Sequence, residues 1–267
     1  TSVIALVSKP PGARTLAQLV ERIAHCTKPV VTCFLGQRAE LPGANIRFRV
    51  ARTLDDAAML AVQIATGKSP APLESIPTRS VQSLISNHKT RLKPTQKYIR
   101  GIFAGGTFCY QAQQVLLDSA LRVYSNAPLP GNRELADPRR SIEHTLVDMG
   151  AELFTDGRAH PMIDASLRRD RILAEAQDPQ VAVLLLDFIL GYNASANPVG
   201  DLIDAITQAQ HLATTRGDHL IVIASVCGTD GDPQGLDRQV KLLEEASVIV
   251  LPSSAQSARL AGQLVPA

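Results

Sequence analysis

The chain contains no tryptophan, and aromatic residues of any kind make up only 4% of its 267 positions. With so few flat side chains to stack on bases and a net charge of only +2, nucleic acid is not an expected partner. No apolar run approaches the roughly 20 residues that a membrane-spanning helix needs, so no membrane association is expected. Cysteine is sparse as well. Cys26, Cys33, Cys109 and Cys227 form no Cys-x-x-Cys pair and no Cys/His cluster with metal spacing, so we expect no metal and, as the default, reduced thiols in a cytoplasmic protein. Cys109, near a predicted helix start, admits two readings: a thiol with lowered pKa, or simple packing between Phe108 and Tyr110. There is no initiator methionine, and Thr1 opens almost directly into the strand-like run SVIALVS, which leads us to expect a piece of a longer protein.

What is present is a 45% hydrophobic composition arranged in two blocks. Residues 1–68 read as strand (Ser2–Ser8), helix (Thr15–His25), strand (Pro29–Leu35), short strand (Ile46–Val50) and helix (Thr53–Ala65). Unbroken Val/Ile runs without alternation mark strands covered on both faces, as in a parallel sheet. Residues 69–97, rich in proline and lysine, read as an exposed linker with a short helix near Arg79–Ser86, and the basic run Lys89–Lys97 as a solvated surface. Residues 98–267 alternate five apolar runs with five helical patterns. That implies right-handed crossovers and a doubly wound parallel sheet, with strand order 2-1-3-4-5 expected.

Ligands of such sheets sit beyond the carboxyl ends of the strands. The first of those ends, in YIRGIFAGGTFCYQAQQ, runs from a strand through Gly105, Gly106 and Thr107 into a helix. Glycines admit close backbone approach, the first-turn N–H groups face an anion, and Thr107 is placed to cap the helix or to bind a phosphate oxygen. The same segment fits a tight turn that holds nothing. Other strand ends contribute Gly191 and Asn193, and Cys227, Gly228 and Thr229. The loop FTDGRAHPMID contains Arg158, suited to clamping a phosphate, and His160, the imidazole best placed for proton transfer. Its alternative reading is turn chemistry, with Asp164 capping the next helix. Asp230 and Asp232 fit Asx turns better than a Mg²⁺ site.

Several of these motifs carry a family resemblance. The Gly-rich turn into a helix, the Asp-x-Gly strand end Asp148-Met149-Gly150 and the strand Asp178–Asp187 resemble the carboxy-terminal ligase domain of succinyl-CoA synthetase β subunits. Thr27–Val31 and Thr53–Asp56 resemble the α subunit's ligase domain. More narrowly, GGTFCYQAQ, DGRAHPMID, SVCGTDGDPQ and LPSSAQSARLA look like the FdrA group of acyl-CoA synthetase-like proteins. The resemblance implies two flavodoxin-like α/β domains, the first incomplete. It also implies an enzyme that handles an acyl or carbamoyl phosphate, with a homo-oligomer or partner subunits. CoA or nucleotide would bind through a domain absent from this chain.

The sequence departs from that family where its chemistry is sited. The catalytic phosphohistidine of NDP-forming acyl-CoA synthetases follows the strand corresponding to Val30–Leu35. Here that strand runs into GQRAELPGANIRFRV, without a histidine, and His25 precedes it. The glycine pair opening the β-subunit phosphate helix appears only as Leu190-Gly191. The resemblance therefore implies direct carbamoyl transfer of the oxamate/carbamoyl phosphate type. Gly105–Thr107 would cradle phosphate, with Arg158 as cation and His160 as acid–base partner. A ligase lacking its CoA-binding domain and a non-catalytic scaffold are the alternatives.

Overall fold

The computed structural model describes residues 1–37, 41–43, 45, 47–68 and 78–266, and the chain divides into two compact units, Thr1–Glu74 and Ser75–Ala267. In the first, β1 (Ile4–Ser8), β2 (Val30–Phe34) and β3 (Phe48–Val50) form a parallel sheet in that order. Strand β2 is buried at every position. Strand β1 is an edge, paired only with β2 among the described residues, and its Val7 is 49% exposed.

Among the described residues of the unit are two helices. Helix α1 (Ala13–Ala24) lays Leu16, Leu19, Val20 and Ile23 against Phe34, Leu41 and Phe48, the i, i+3, i+4, i+7 spacing of one helical stripe. Helix α2 (Leu54–Thr66) starts at a reciprocal cap. The Asp56 N–H donates to Thr53 Oγ1 at 3.1 Å, and the Thr53 N–H donates to the Asp56 carboxylate at 3.3 Å. Such a cap contributes about 1 kcal/mol.

The second unit is built on seven strands, all paired in parallel. In spatial order they are β10 (Ile249–Leu251), β9 (Ile221–Cys227), β8 (Val181–Ile189), β4 (Tyr98–Phe103), β7 (Thr145–Asp148), β5 (Tyr124–Ser125) and β6 (Arg133–Glu134). The five longer strands have the expected order 2-1-3-4-5. Strands β5 and β6, two residues each, extend the sheet past β7 from the two ends of the segment YSNAPLPGNRE, whose prolines and glycine interrupt any strand pattern. Along β8, Leu184, Leu186 and Phe188 enter one core and Val183 and Leu185 the other, which is why its sequence is an unbroken apolar run.

Helices cover both faces. Ile172 of α6 (Ser166–Ala176), Leu202 and Ile206 of α7 (Gly200–Thr215) and Leu243 of α8 (Leu236–Glu245) fill the first core. Leu116 of α4 (Gly106–Asp118) and Leu260 and Ala261 of α9 (Ser254–Leu264) fill the second. Helix α3 (Thr78–Lys89) packs Val81, Leu84 and Ile85 on that second core, and a single-turn α5 spans Glu152–Thr155. None of the helices among the described residues is long and apolar enough to cross a membrane.

Residues 78–97 are therefore not an exposed linker. Beyond α3, the buried Gln96 donates from Nε2 to the carbonyls of Val181 (2.9 Å) and His219 (3.1 Å). Lys93 pairs with Asp218 at 2.7 Å, so the basic run is partly tied to the sheet. Residues 69–77 of the expected linker lie outside the described residues. At the amino end of β4, the buried Arg100 donates to Glu175 (2.9 Å) and Asp178 (2.7 Å), and Glu175 also receives Arg171.

Candidate functional site

Strand β4 ends in a turn that exposes the start of α4. Gly105 is the N-cap residue, in an extended conformation and without a side-chain cap, and a β-carbon placed on it would meet nothing within 4 Å. Glycine here leaves the mouth of the helix open. Gly106 is the first helical residue, so Thr107 lies inside the first turn, exposed, and is not the cap. That corrects one role expected of Thr107. A β-carbon on Gly106 would stand 2.9 Å from Asp148 Oδ2 and 3.1 Å from the Tyr110 ring, so glycine is needed for close approach. Asp148, at the end of β7, is buried, and its Oδ1 accepts the Gly150 N–H at 2.9 Å. A carboxylate thus stands beside the positive end of α4.

His160 reaches the same turn. A β-carbon on Gly150 would stand 2.7 Å from both His160 Nε2 and the Ala104 carbonyl, and 3.1 Å from Gly105 Cα. His160 Nδ1 accepts the Met162 N–H at 3.3 Å. In the neutral ring this places the proton on Nε2, the nitrogen beside Gly150, and makes it a hydrogen-bond donor rather than a base. Arg158 is exposed on the same loop, where its charge contributes to lowering the pKa of Asp164; the larger cause is the Ser166 N–H that Asp164 accepts at 2.9 Å.

The remaining candidates form a second neighbourhood. Gly191, at φ 139°, donates its N–H to Gln234 Oε1 (3.1 Å) while Gln234 Nε2 donates to the carbonyls of Gly191 (2.7 Å) and Ser195 (2.9 Å). Gly228 backs onto Leu190, whose N–H donates to the Cys227 carbonyl at 2.9 Å. The Thr229 N–H donates to Asp232 at 2.6 Å, closing the loop on itself. These groups hold loops to each other, and the N–H donors of Gly191 and Thr229 are already engaged. Asn193 is exposed beside Tyr192. Although Cys227 reaches the surface, desolvation by the atoms packed around its sulfur, then the Asp187 and Asp232 carboxylates, push its thiol up, the opposite of an activated nucleophile. Cys109, buried, is pushed up to about 12, by desolvation first and then by Asp148. Of the two readings of Cys109, packing is the one the structure supports.

The two neighbourhoods meet. The Ser195 N–H donates to the Met162 carbonyl at 2.8 Å, and Ala104, Pro161, Met162, Arg168 and Ser195 line one cavity of about 10 Å³, room for a single water. Loops after β4, β7 and β8 therefore converge at the carboxyl end of the sheet. Sequence reasoning missed the groups that organise them. Arg168 and Asp187 form a buried pair at 2.9 Å, and Gln234 sits between the two later loops. A charged residue inside the apolar run VAVLLLDFI was the available signal for Asp187.

Residues 102–264, from the end of β4 through α9, match the family model described as CoA-ligase. The chain belongs to the CoA-ligase family. All candidate residues of this CoA-ligase chain fall inside the matched stretch. The chain is also 40% identical over 266 residues to the uncharacterized protein YahF of Escherichia coli K12, covering 99% of this chain and 51% of that one. It thus spans about half the length of that curated relative. A solved structure, ATP citrate lyase from Methanothrix soehngenii in complex with citrate and coenzyme A, is similar over 97% of this chain and 38% of that chain, at TM-score 0.34 and 11% identity; a likeness that distant carries no argument.

Proposed function

We propose that this CoA-ligase family member handles a carbamoyl or acyl phosphate by direct transfer, of the oxamate/carbamoyl phosphate type found with the FdrA group, and without a phosphohistidine. The observation that carries the reading is that His160 Nε2 and Gly105 both approach the one point where a β-carbon on Gly150 would stand. An Nε2–H donor beside a helix N-terminus is the pair of features that steadies an oxyanion next to a phosphate. In the proposed reaction, hydrogen phosphate attacks the carbamoyl carbon of oxalurate. The carbon–nitrogen bond breaks, and the amide nitrogen takes the phosphate's proton, giving carbamoyl phosphate and oxamate. First-turn N–H groups of α4 and Arg158 hold the phosphate, and His160 donates to the developing oxyanion. The reading includes assembly with partner subunits and a cytoplasmic setting.

Family membership favours a second reading, a CoA- and nucleotide-dependent ligase. One experiment separates the two. The full-length protein is assayed with carbamoyl phosphate plus oxamate, with acetyl phosphate, and with acyl-CoA plus nucleoside diphosphate, in parallel with a search for acid-labile phosphoenzyme. We expect phosphate release with oxamate, no phosphoenzyme, and a loss on His160→Ala of about 10²-fold, the scale of one oxyanion donor. CoA-dependent turnover through a phosphoenzyme overturns the proposal.

A further inference from the structure

The pairing of β4 with β8 stops at Ile102 opposite Leu186, while β8 continues along β9 as far as Ile189 opposite Cys227. Asp187 is the first β8 residue past the shared ladder. Its side chain continues the hydrogen bonding that the backbone has abandoned. Oδ1 accepts the Ala104 N–H at 2.8 Å and Arg168 Nη2 at 2.9 Å, while the same Nη2 donates to the carbonyls of Asp187 (2.6 Å) and Ile102 (3.1 Å). Ala104 is the residue immediately before the Gly105–Gly106 turn.

Stability alone does not account for this carboxylate. Asp187 is fully buried, and among the described residues its Oδ2 has no hydrogen-bond partner, nor does Arg168 Nε. A buried ion pair with unsatisfied atoms is commonly matched or bettered by apolar residues of similar size. What an apolar pair lacks is an acceptor for the Ala104 N–H. A continued ladder would also meet that N–H, but it would carry β4 straight on and delay the turn.

We infer that Asp187, held by Arg168, is the positioning residue of the site: by taking the Ala104 N–H it ends β4 and aims the Gly105–Gly106 turn and the first turn of α4. The inference rests on the proposed function only for what the turn binds. Its geometric part stands apart from that reading.

The test uses the full-length protein and two readouts, hydrogen–deuterium exchange of the peptide spanning 102–107, and calorimetric affinity for carbamoyl phosphate and for inorganic phosphate. Asp187→Asn combined with Arg168→Met keeps an oxygen acceptor and leaves no buried charge unpaired. Asp187→Leu combined with Arg168→Met removes acceptor and charges together. Ile206→Val, on α7 in the core beneath the same sheet, is the control for a general loss of stability. We expect exchange at 102–107 to rise and affinity to fall, each by about tenfold, in the Leu/Met variant, the scale of one hydrogen bond. The Asn/Met variant and the control should stay near wild type. The inference is overturned if the Leu/Met variant keeps wild-type exchange at the turn, or if the Asn/Met variant loosens the turn as much as the Leu/Met variant does. A wild type that binds neither phosphate compound would defeat the proposed function, and the exchange result would still decide the positioning role.

Discussion

Asp148 Oδ2 lies 2.9 Å from the point where a β-carbon of residue 106 would stand, so a carboxylate from β7 and the opening residue of α4 share one small space. Asp187 grips the same turn from β8, through Ala104. Strand β4, between them, ends between two acids. Negative charge at a helix N-terminus is favourable, and it also means that an incoming phosphate shares that end of the helix with a carboxylate.

Gly150→Ala should damage both structure and site. Its new β-carbon would collide with the Ala104 carbonyl and Gly105 Cα as well as with His160, and backbone cannot step aside as a side chain can. Overpacking of this kind costs about 1–3 kcal/mol. A lowered midpoint in urea, with altered ¹⁵N shifts for His160, is the expected result. An unchanged imidazole spectrum would mean that the ring is not held where we place it.

Glu175 anchors the opposite end of the sheet, accepting from Arg100 and Arg171. Replacing it with alanine leaves the buried Arg100 with Asp178 alone. Breaking a buried pair from one side typically costs about 3–5 kcal/mol. Because the network lies at the amino end, denaturation should register the loss while carbamoyl phosphate affinity at permissive temperature stays unchanged.

His88 and His219 are hydrogen-bonded at 2.9 Å, with stacked rings. Desolvation, then Arg91, holds both below the usual imidazole range, and His219 falls to about 4. The unfolded chain therefore binds protons first as pH falls. Stability should be level above the ordinary imidazole pKa near 6.5 and decline between there and about 4, since stability rises with pH wherever the unfolded state holds more protons. Urea midpoints for wild type and His219→Gln at pH 7.5 and 5 check this, with the variant expected to show the shallower decline.

Thiol labelling should follow burial. Cys33 and Cys109 are buried and pushed up to about 11 and about 12 by desolvation. Cys227 is exposed. An aromatic disulfide reagent should modify Cys227 in the native protein and reach Cys33 and Cys109 only on unfolding. Early loss of Cys109 would indicate opening of the core beneath α4.

Much of the architecture was readable because it depends on local pattern. The apolar runs Tyr98–Phe103, Val181–Ile189 and Ile221–Cys227, each followed by a helical stripe, specify strand, crossover and parallel sheet with few alternatives. Thr53 and Asp56 announce the start of α2 by their spacing. Strands β5 and β6 were not readable, since two residues held by a neighbour's ladder leave no periodicity of their own.

At the site, the residues disclosed the turn Gly105–Gly106 and the loop bearing His160, because glycine and histidine are chemically conspicuous. Their meeting at Gly150, the engagement of Gly191 and Thr229 by Gln234 and Asp232, and the grip of Asp187 on Ala104 were decided by the tertiary structure alone. A hydrogen bond between residues 83 positions apart leaves no trace in either local pattern. It forms only once the strands have paired and burial has removed the water that would otherwise compete for the same donor.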